Sequence, residues 1–218
     1  DIREGDVTTR FFVPLGTDFY GEMRAKDKGV VCGLNVARRV FELAAPGSRV
    51  KLAARDGDRV KKGSVLMRIE GPASILTAER TALNFLQHMS GVATRAALFS
   101  SVIKNRRTRI YDTRKTLPGL RAVEKYAAAC GGAVNHRMGL YDMAMIKDNH
   151  VALAGCSPAK LAGRIAAMRK AKPGLKIEIE AQGLAQVKAF LPLGADVLML
   201  DNMNFAAMKK AIALVRAH

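Results

Sequence analysis

From Arg107 onward the chain alternates short apolar runs with helix-patterned stretches, and this alternation narrows the fold more than any other feature. RTRIYDT, AMIKDN, KIEIEA and DVLMLDN have the length and aliphatic content of buried strands. GCSPAKLAGRIAAMRKAK and NFAAMKKAIALVRAH, between and after them, have helical spacing. Strands separated by helices imply parallel β/α architecture. Three of these runs end in polar groups: Lys147 and Asp148, then Glu180, then Asp201. In a β/α barrel such C-terminal strand ends build the active site. No internal repeat is visible beyond the alternation.

The preceding residues read differently. FYGEMRAKDKGVVCGL is expected to form strand, turn and strand, and NVARRVFELA a helix with Val36, Val40, Phe41 and Leu43 available for one face. SRVKLAARDGDRVKKGSVLMRIEG adds strands, with Asp56-Gly57 as a turn signal. A long amphipathic helix is expected from Thr77, with Thr77 as N-cap and Arg80 in its first turns. The expected fold class is α/β: an N-terminal α+β, sandwich-like domain over residues 1–76, then a β/α barrel over 77–218.

Composition sets outer limits. A chain of 218 residues, 49% apolar, can bury a sizeable core. No apolar run reaches the roughly 18 residues of a membrane span. DIREGDVTTR is not a secretory signal, although a processed one is compatible with a first residue other than Met. Cys32, Cys130 and Cys156 form no CxxC pair and point to free thiols in a reducing compartment, here the cytoplasm. A catalytic cysteine is the less favoured reading; Cys130, in an Ala-rich stretch, is expected to be buried packing.

The 36 basic and 19 acidic residues leave a net charge of +17. Nucleic acid is the reflex partner, yet the cations are dispersed and no aromatics are interleaved with them as a stacking platform needs. Steering and holding a small polyanion explains the charge better. The runs DTRKTLPGLR and NHRMGLYDMAMIKDNH concentrate Arg114, Lys115, His136, Arg137 and Lys147 where strand-like stretches give way to loops. Arg grips a carboxylate through paired hydrogen bonds, and Lys acts as a compact charge. Glu180 and Asp201 suit ribose hydroxyls or Mg²⁺. Taken one at a time, each of these residues could equally be a surface ion pair.

Several long segments resemble quinolinate phosphoribosyltransferases: GDVTTR at 5–10, GPASILTAERTALNFLQHMSGVAT at 71–94, YDTRKTLPGLRAVEKYA at 111–127, CGGAVNHRMGLYD at 130–142, IKDNH at 146–150 and LDNM at 200–203. The resemblance runs nearly end to end. It implies joining of quinolinate to phosphoribosyl pyrophosphate, with release of pyrophosphate and CO₂, to give nicotinate mononucleotide in NAD biosynthesis. It implies that Arg114, His136, Arg137 and Lys147 line the quinolinate pocket, with Arg80 reaching in from a neighbouring subunit of a homodimer or higher homo-oligomer. Lys115 and Lys147 would hold phosphoribosyl pyrophosphate. Glu180 and Asp201 would contact the ribose and Mg²⁺. Neither nucleic acid nor membrane is an expected partner. The alternative is a non-catalytic or regulatory binder of anionic ligands or nucleic acid on the same scaffold.

Two departures stand out. Gln182 occupies a place where family members often carry an acid. The family also continues past the point matched by His218 with further strand–helix units, including Ser-Gly-Gly and Gly-Ala-Leu loops for the 5′-phosphate. The barrel as read is therefore partial, and its remaining units are expected to be omitted or disordered rather than naturally lacking. Other motifs have blander explanations. DGDRVKKGSVLMRIEG resembles a biotinyl or lipoyl carrier hairpin but lacks the modified Lys. His136 and His150 have no third nitrogen or sulfur ligand at a useful spacing. Met138, Met143 and Met145 read as packing, and His88 as structural.

Overall fold

The computed structural model describes residues 2–105, 107–153, 155 and 157–218. They form two compact units, Asp1–His136 and Arg137–His218. In the first, α1 (Val7–Phe12) leads into a three-stranded antiparallel sheet of order β1-β5-β3, made by β1 (Asp18–Arg24), β3 (Arg49–Leu52) and β5 (Val65–Pro72). The short strands β2 (Gly29–Val30) and β4 (Arg59–Val60) pair with each other instead. FYGEMRAKDKGVVCGL thus holds two strands that do not pair: β1 runs against β5, from Asp18↔Pro72 to a bulge at Met23/Arg24.

The helix α2 (Leu34–Ala44) buries Leu34, Ala37 and Phe41 against this sheet, while Leu43 is exposed, so the apolar face lies about a third of a turn from the expected one. It starts at Gly33, whose φ of +101° suits glycine and where a Cβ would meet Met89 Sδ at 2.8 Å. With no side chain at that cap, Asp56 supplies the acceptor: its Oδ1 takes the N–H groups of Gly33 and Leu34 at 3.0 and 2.9 Å. The expected Asp56-Gly57 turn is present, and its carboxylate caps a helix distant in sequence.

The long helix α3 (Ser74–Val102) buries Ile75, Ala78, Ala82, Leu86, Met89 and Ala93, spaced three and four apart. It begins before Thr77, which is not its N-cap. The Thr77 hydroxyl instead donates to Asp6 Oδ2 at 2.9 Å. Ser90 and Thr94 on α3 accept the N–H groups of Cys32 and Val30, closing backbone donors that the two-residue β2 leaves open. Next, α4 (Arg121–Cys130) approaches α3 so closely that a Cβ on Gly131 would lie 2.2 Å from Ala93 O. The Ala-rich sequence permits that approach. Cys130 is half-buried rather than buried, and Cys32 is the sequestered thiol. Burial and the neighbouring Cys130 push the Cys32 thiol far above its ordinary range, which suits packing and not nucleophilic attack. Cys156 lies outside the described residues.

The second unit is a run of β/α units: β6 (Met143–Ile146), α5 (Asp148–Leu153), α6 (Pro158–Ala171), β7 (Lys176–Ala181), α7 (Leu184–Phe190), β8 (Val197–Leu200) and α8 (Phe205–Ala217). Its sheet is parallel in the order β6-β7-β8, with Ile146↔Ile179 and Ile179↔Leu198 in register. Ile177, Ile179 and Ala181 face a core closed by Leu161, Ile165, Val187 and Phe190. Each fully buried isoleucine contributes about 1.5–3 kcal/mol. Ser157 caps α6, with Pro158 in its first turn, and Asn204 caps α8 through Ala207 N at 2.9 Å. No helix among the described residues is long and apolar enough to cross a membrane.

Candidate active site

The first charged run lies in the first unit, while the second begins there with Asn135 and His136 and continues into the second unit from Arg137. In the first unit RTRIYDT is not a regular strand. It makes a single parallel bridge, Tyr111↔Val134, with Val134 N donating to Ile110 O at 2.7 Å and Asp112 N donating to Val134 O at 3.0 Å. The next rung of a parallel ladder would join His136 N to Asp112 O. Instead His136 N donates to the Asp112 side chain, Oδ1, at 2.7 Å. The carboxylate takes over the ladder and ends the strand pairing at that point.

Asp112 is therefore a junction. Lys125 on α4, only 1% exposed, directs its Nζ to the same Oδ1. Asn135, with its amide oriented to donate, reaches Asp112 Oδ2 and Lys125 O, both at 2.8 Å. The following loop is held against α4 at two further points. Arg121 Nε donates to Thr116 Oγ1 at 3.3 Å, and Leu117 N donates to the Glu124 carboxylate at 3.4 Å. Glu124 also pairs with His88 Nε2 at 3.0 Å.

This frame presents Arg114 and Lys115. Arg114 is half-buried and its Nε, buried, has no hydrogen-bond partner. Lys115 is exposed, with its N–H turned back to Thr113 Oγ1 at 3.0 Å. The His136 ring meets Tyr111 edge to face, centroids 6.4 Å apart. Arg80 is not with them. It is exposed on α3 and lines a separate cavity of about 850 Å³ together with Arg24, Lys26, Lys28 and Arg95.

In the second unit, Lys147 follows β6, Glu180 lies near the end of β7 and Asp201 follows β8. Alternation carried one residue past these strands puts Lys147, Glu180 and Asp201 on one face, opposite the isoleucine core. Lys147 Nζ sits 3.2 Å from Glu180 Oε1. Asp201 N continues the ladder to Ala181 O at 3.0 Å, and Asn202, in the left-handed region at φ 52°, donates to Asp201 Oδ2 at 2.8 Å. Arg137 is aimed along β6, with Nη1 on Met143 O at 3.3 Å and Nη2 by Met145 Sδ at 3.4 Å. Gln182 donates to Asp148 Oδ2 at 3.2 Å, a contact a carboxylate at that place would not make. No three His, Cys, Asp or Glu side chains gather as a metal site among the described residues.

Sequence reasoning missed Asp112, Lys125, Asn135 and Glu124.

Residues 6–90 match the family model for the quinolinate phosphoribosyl transferase N-terminal domain, and residues 92–218 that for its C-terminal domain. The nicotinate-nucleotide pyrophosphorylase [carboxylating] of Mycobacterium leprae is 41% identical, over 99% of this chain and 75% of that protein. NadC from Streptococcus pyogenes superposes with a TM-score of 0.92 at 37% identity, over 99% of this chain and 76% of that one. The nicotinate-nucleotide pyrophosphorylase from Francisella tularensis gives 0.90 at 31% identity, over 100% and 75%. With both domains matched, the chain belongs to the quinolinate phosphoribosyltransferase family.

Proposed function

We propose that the chain transfers the phosphoribosyl group of phosphoribosyl pyrophosphate to quinolinate, with loss of CO₂ and pyrophosphate, to form nicotinate mononucleotide for NAD biosynthesis. The observation that carries this reading is Arg114. Its buried Nε lacks a partner in a loop otherwise held rigid, and an unpaired buried donor costs about 1–3 kcal/mol that a ligand carboxylate would recover. Arg114, His136, Arg137 and Lys147 hold the two quinolinate carboxylates, and Lys115 and Lys147 hold the phosphoribosyl pyrophosphate. Glu180 and Asp201 contact the ribose and stabilise positive charge developing at the anomeric carbon as pyrophosphate leaves. The quinolinate nitrogen then attacks, and its new positive charge accepts the electron pair released by decarboxylation.

Glu180 and Asp201 also fit Mg²⁺, which is commonly held by one or two carboxylates with substrate phosphates completing its shell. When bound, the ion would neutralise charge on the pyrophosphate leaving group. The protein acts as a homodimer in the cytoplasm, with Arg80 completing its partner's site. The net charge of +17 supports steering of both anions.

Calorimetry with quinolinate and nicotinate tests the assignment. Removing one carboxylate strands desolvated cations, so nicotinate should bind more weakly by about 2–5 kcal/mol. Equal affinities would refute a dicarboxylate site, and binding to DNA in place of either acid would favour a non-catalytic binder.

A further inference from the structure

Lys125 is the most deeply buried cation among the described residues, and the proposed chemistry gives it no role. It touches no proposed ligand group. Its Nζ meets Asp112, whose Oδ1 also receives His136 N and whose Oδ2 receives the Asn135 amide. Asp112 lies two residues before Arg114, and its backbone N–H is committed to Val134 O. One carboxylate thus ties the segment that carries Arg114 and Lys115 to the segment that carries His136. Three donors converge on this carboxylate, and Lys125 is the one among them that carries the opposite charge.

A simple fold-stabilising pair would sit between core elements. This one replaces a rung of backbone ladder at the point where two ligand-bearing loops diverge. Its partner helix grips the same loop again through Arg121 and Glu124. We infer that Asp112 and Lys125 are positioning residues for the phosphoribosyl transfer, setting the separation of Arg114 and His136 through one shared carboxylate. The inference rests on the proposed quinolinate reading. Displacement of a binding group by about 1 Å can cost about a hundredfold in rate, so loosening this junction should act on substrate binding even though neither residue touches substrate.

The experiment compares the complete protein with Lys125→Met and with the charge-neutral double variant Asp112→Asn/Lys125→Met. The single variant leaves a buried carboxylate unpaired and is expected to melt at lower temperature. The double variant removes both charges and should recover most of that loss. Positioning predicts that every folded variant shows a KM for quinolinate raised about tenfold or more, and faster hydrogen exchange at residues 113–117 and 134–136 than at the α3 core. Recovered melting temperature without recovered KM is the expected signature. A double variant that melts like the parent and keeps its KM, unchanged exchange in those two segments, or failure of both variants to fold would each overturn the inference and assign the pair to the fold. Turnover of quinolinate by the parent is scored separately and bears on the proposed function; the exchange measurement needs no substrate.

Discussion

At the scale of single residues, Lys147 and Glu180 make a weak structural contact to which the proposed function gives a stronger role. The Lys147 side chain is 44% exposed, and its 3.2 Å pairing with Glu180 is of the kind that adds at most about 1 kcal/mol to folding. In the proposed function the same charge faces a polyanionic substrate, where it would be worth far more. Lys147→Ala should therefore lower kcat by about 100-fold or more, while the melting temperature stays near that of the parent. Steady-state kinetics beside a thermal melt checks both halves, and parent-like turnover would remove Lys147 from the site. Groups of this kind were legible in the sequence because they are polar residues directly after apolar runs, where a parallel sheet exposes its ends. Asp112 and Lys125 were not. A lysine in a short helix reads as a solvated charge, and only packing against α3 and the 110–112 segment reveals that it is enclosed. Arg80 was read as serving a neighbouring subunit, and in its own chain it lines a cavity that Arg114 does not.

At the scale of elements, legibility followed length and periodicity. The helices α3, α6 and α8 and the strands β6, β7 and β8 stand where apolar spacing put them. The shorter helices α4 and α7 were not anticipated, and RTRIYDT fell short of a strand because a side chain, not a carbonyl, accepts its next hydrogen bond. The opposite end of the second sheet carries a feature of another kind. Asp196, just before β8, accepts Ile177 N at 2.9 Å, Arg169 Nη2 at 3.0 Å and Lys176 Nζ at 3.1 Å. Groups at the N-terminal strand ends of β/α units serve stability, not catalysis. The Ile177 N–H, opposed by partial burial and helped by Lys176 and Arg169, holds the Asp196 carboxyl below its ordinary value of 3.8. Because folding lowers this pKa, the stabilisation is complete above the unfolded value and fades as pH falls through the folded one. Asp196→Ala should thus lower the melting temperature by about 2–4 °C at pH 7, with turnover retained, and the gap should narrow below about pH 4. Melts across that range decide it; a gap that stays constant down to pH 2 would show that the carboxylate charge is not the source.

At the scale of the whole molecule, the open question is where Arg80 acts. The proposed function has it act as a quinolinate ligand supplied by a neighbouring subunit. It projects from an early turn of α3 into a cavity that Arg114, Lys115 and His136 do not line. That cavity is rimmed by Arg24, Lys26, Lys28 and Arg95, with Asp27 the one acid among them, so its lining is net positive. In a two-fold dimer each subunit would lend one Arg80 to the other, giving two equivalent composite sites. The arrangement has a signature that no intramolecular role can imitate. Arg80→Ala and Lys147→Ala proteins should each be inactive alone. After subunit exchange, about half of the dimers are mixed, and each mixed dimer holds one site with both defects and one with neither. Activity should therefore return to about a quarter of the parent value. Native mass spectrometry verifies the exchange and an initial-rate assay reads the recovery; exchanged dimers that remain inactive would place Arg80 in the site of its own subunit or outside the reaction.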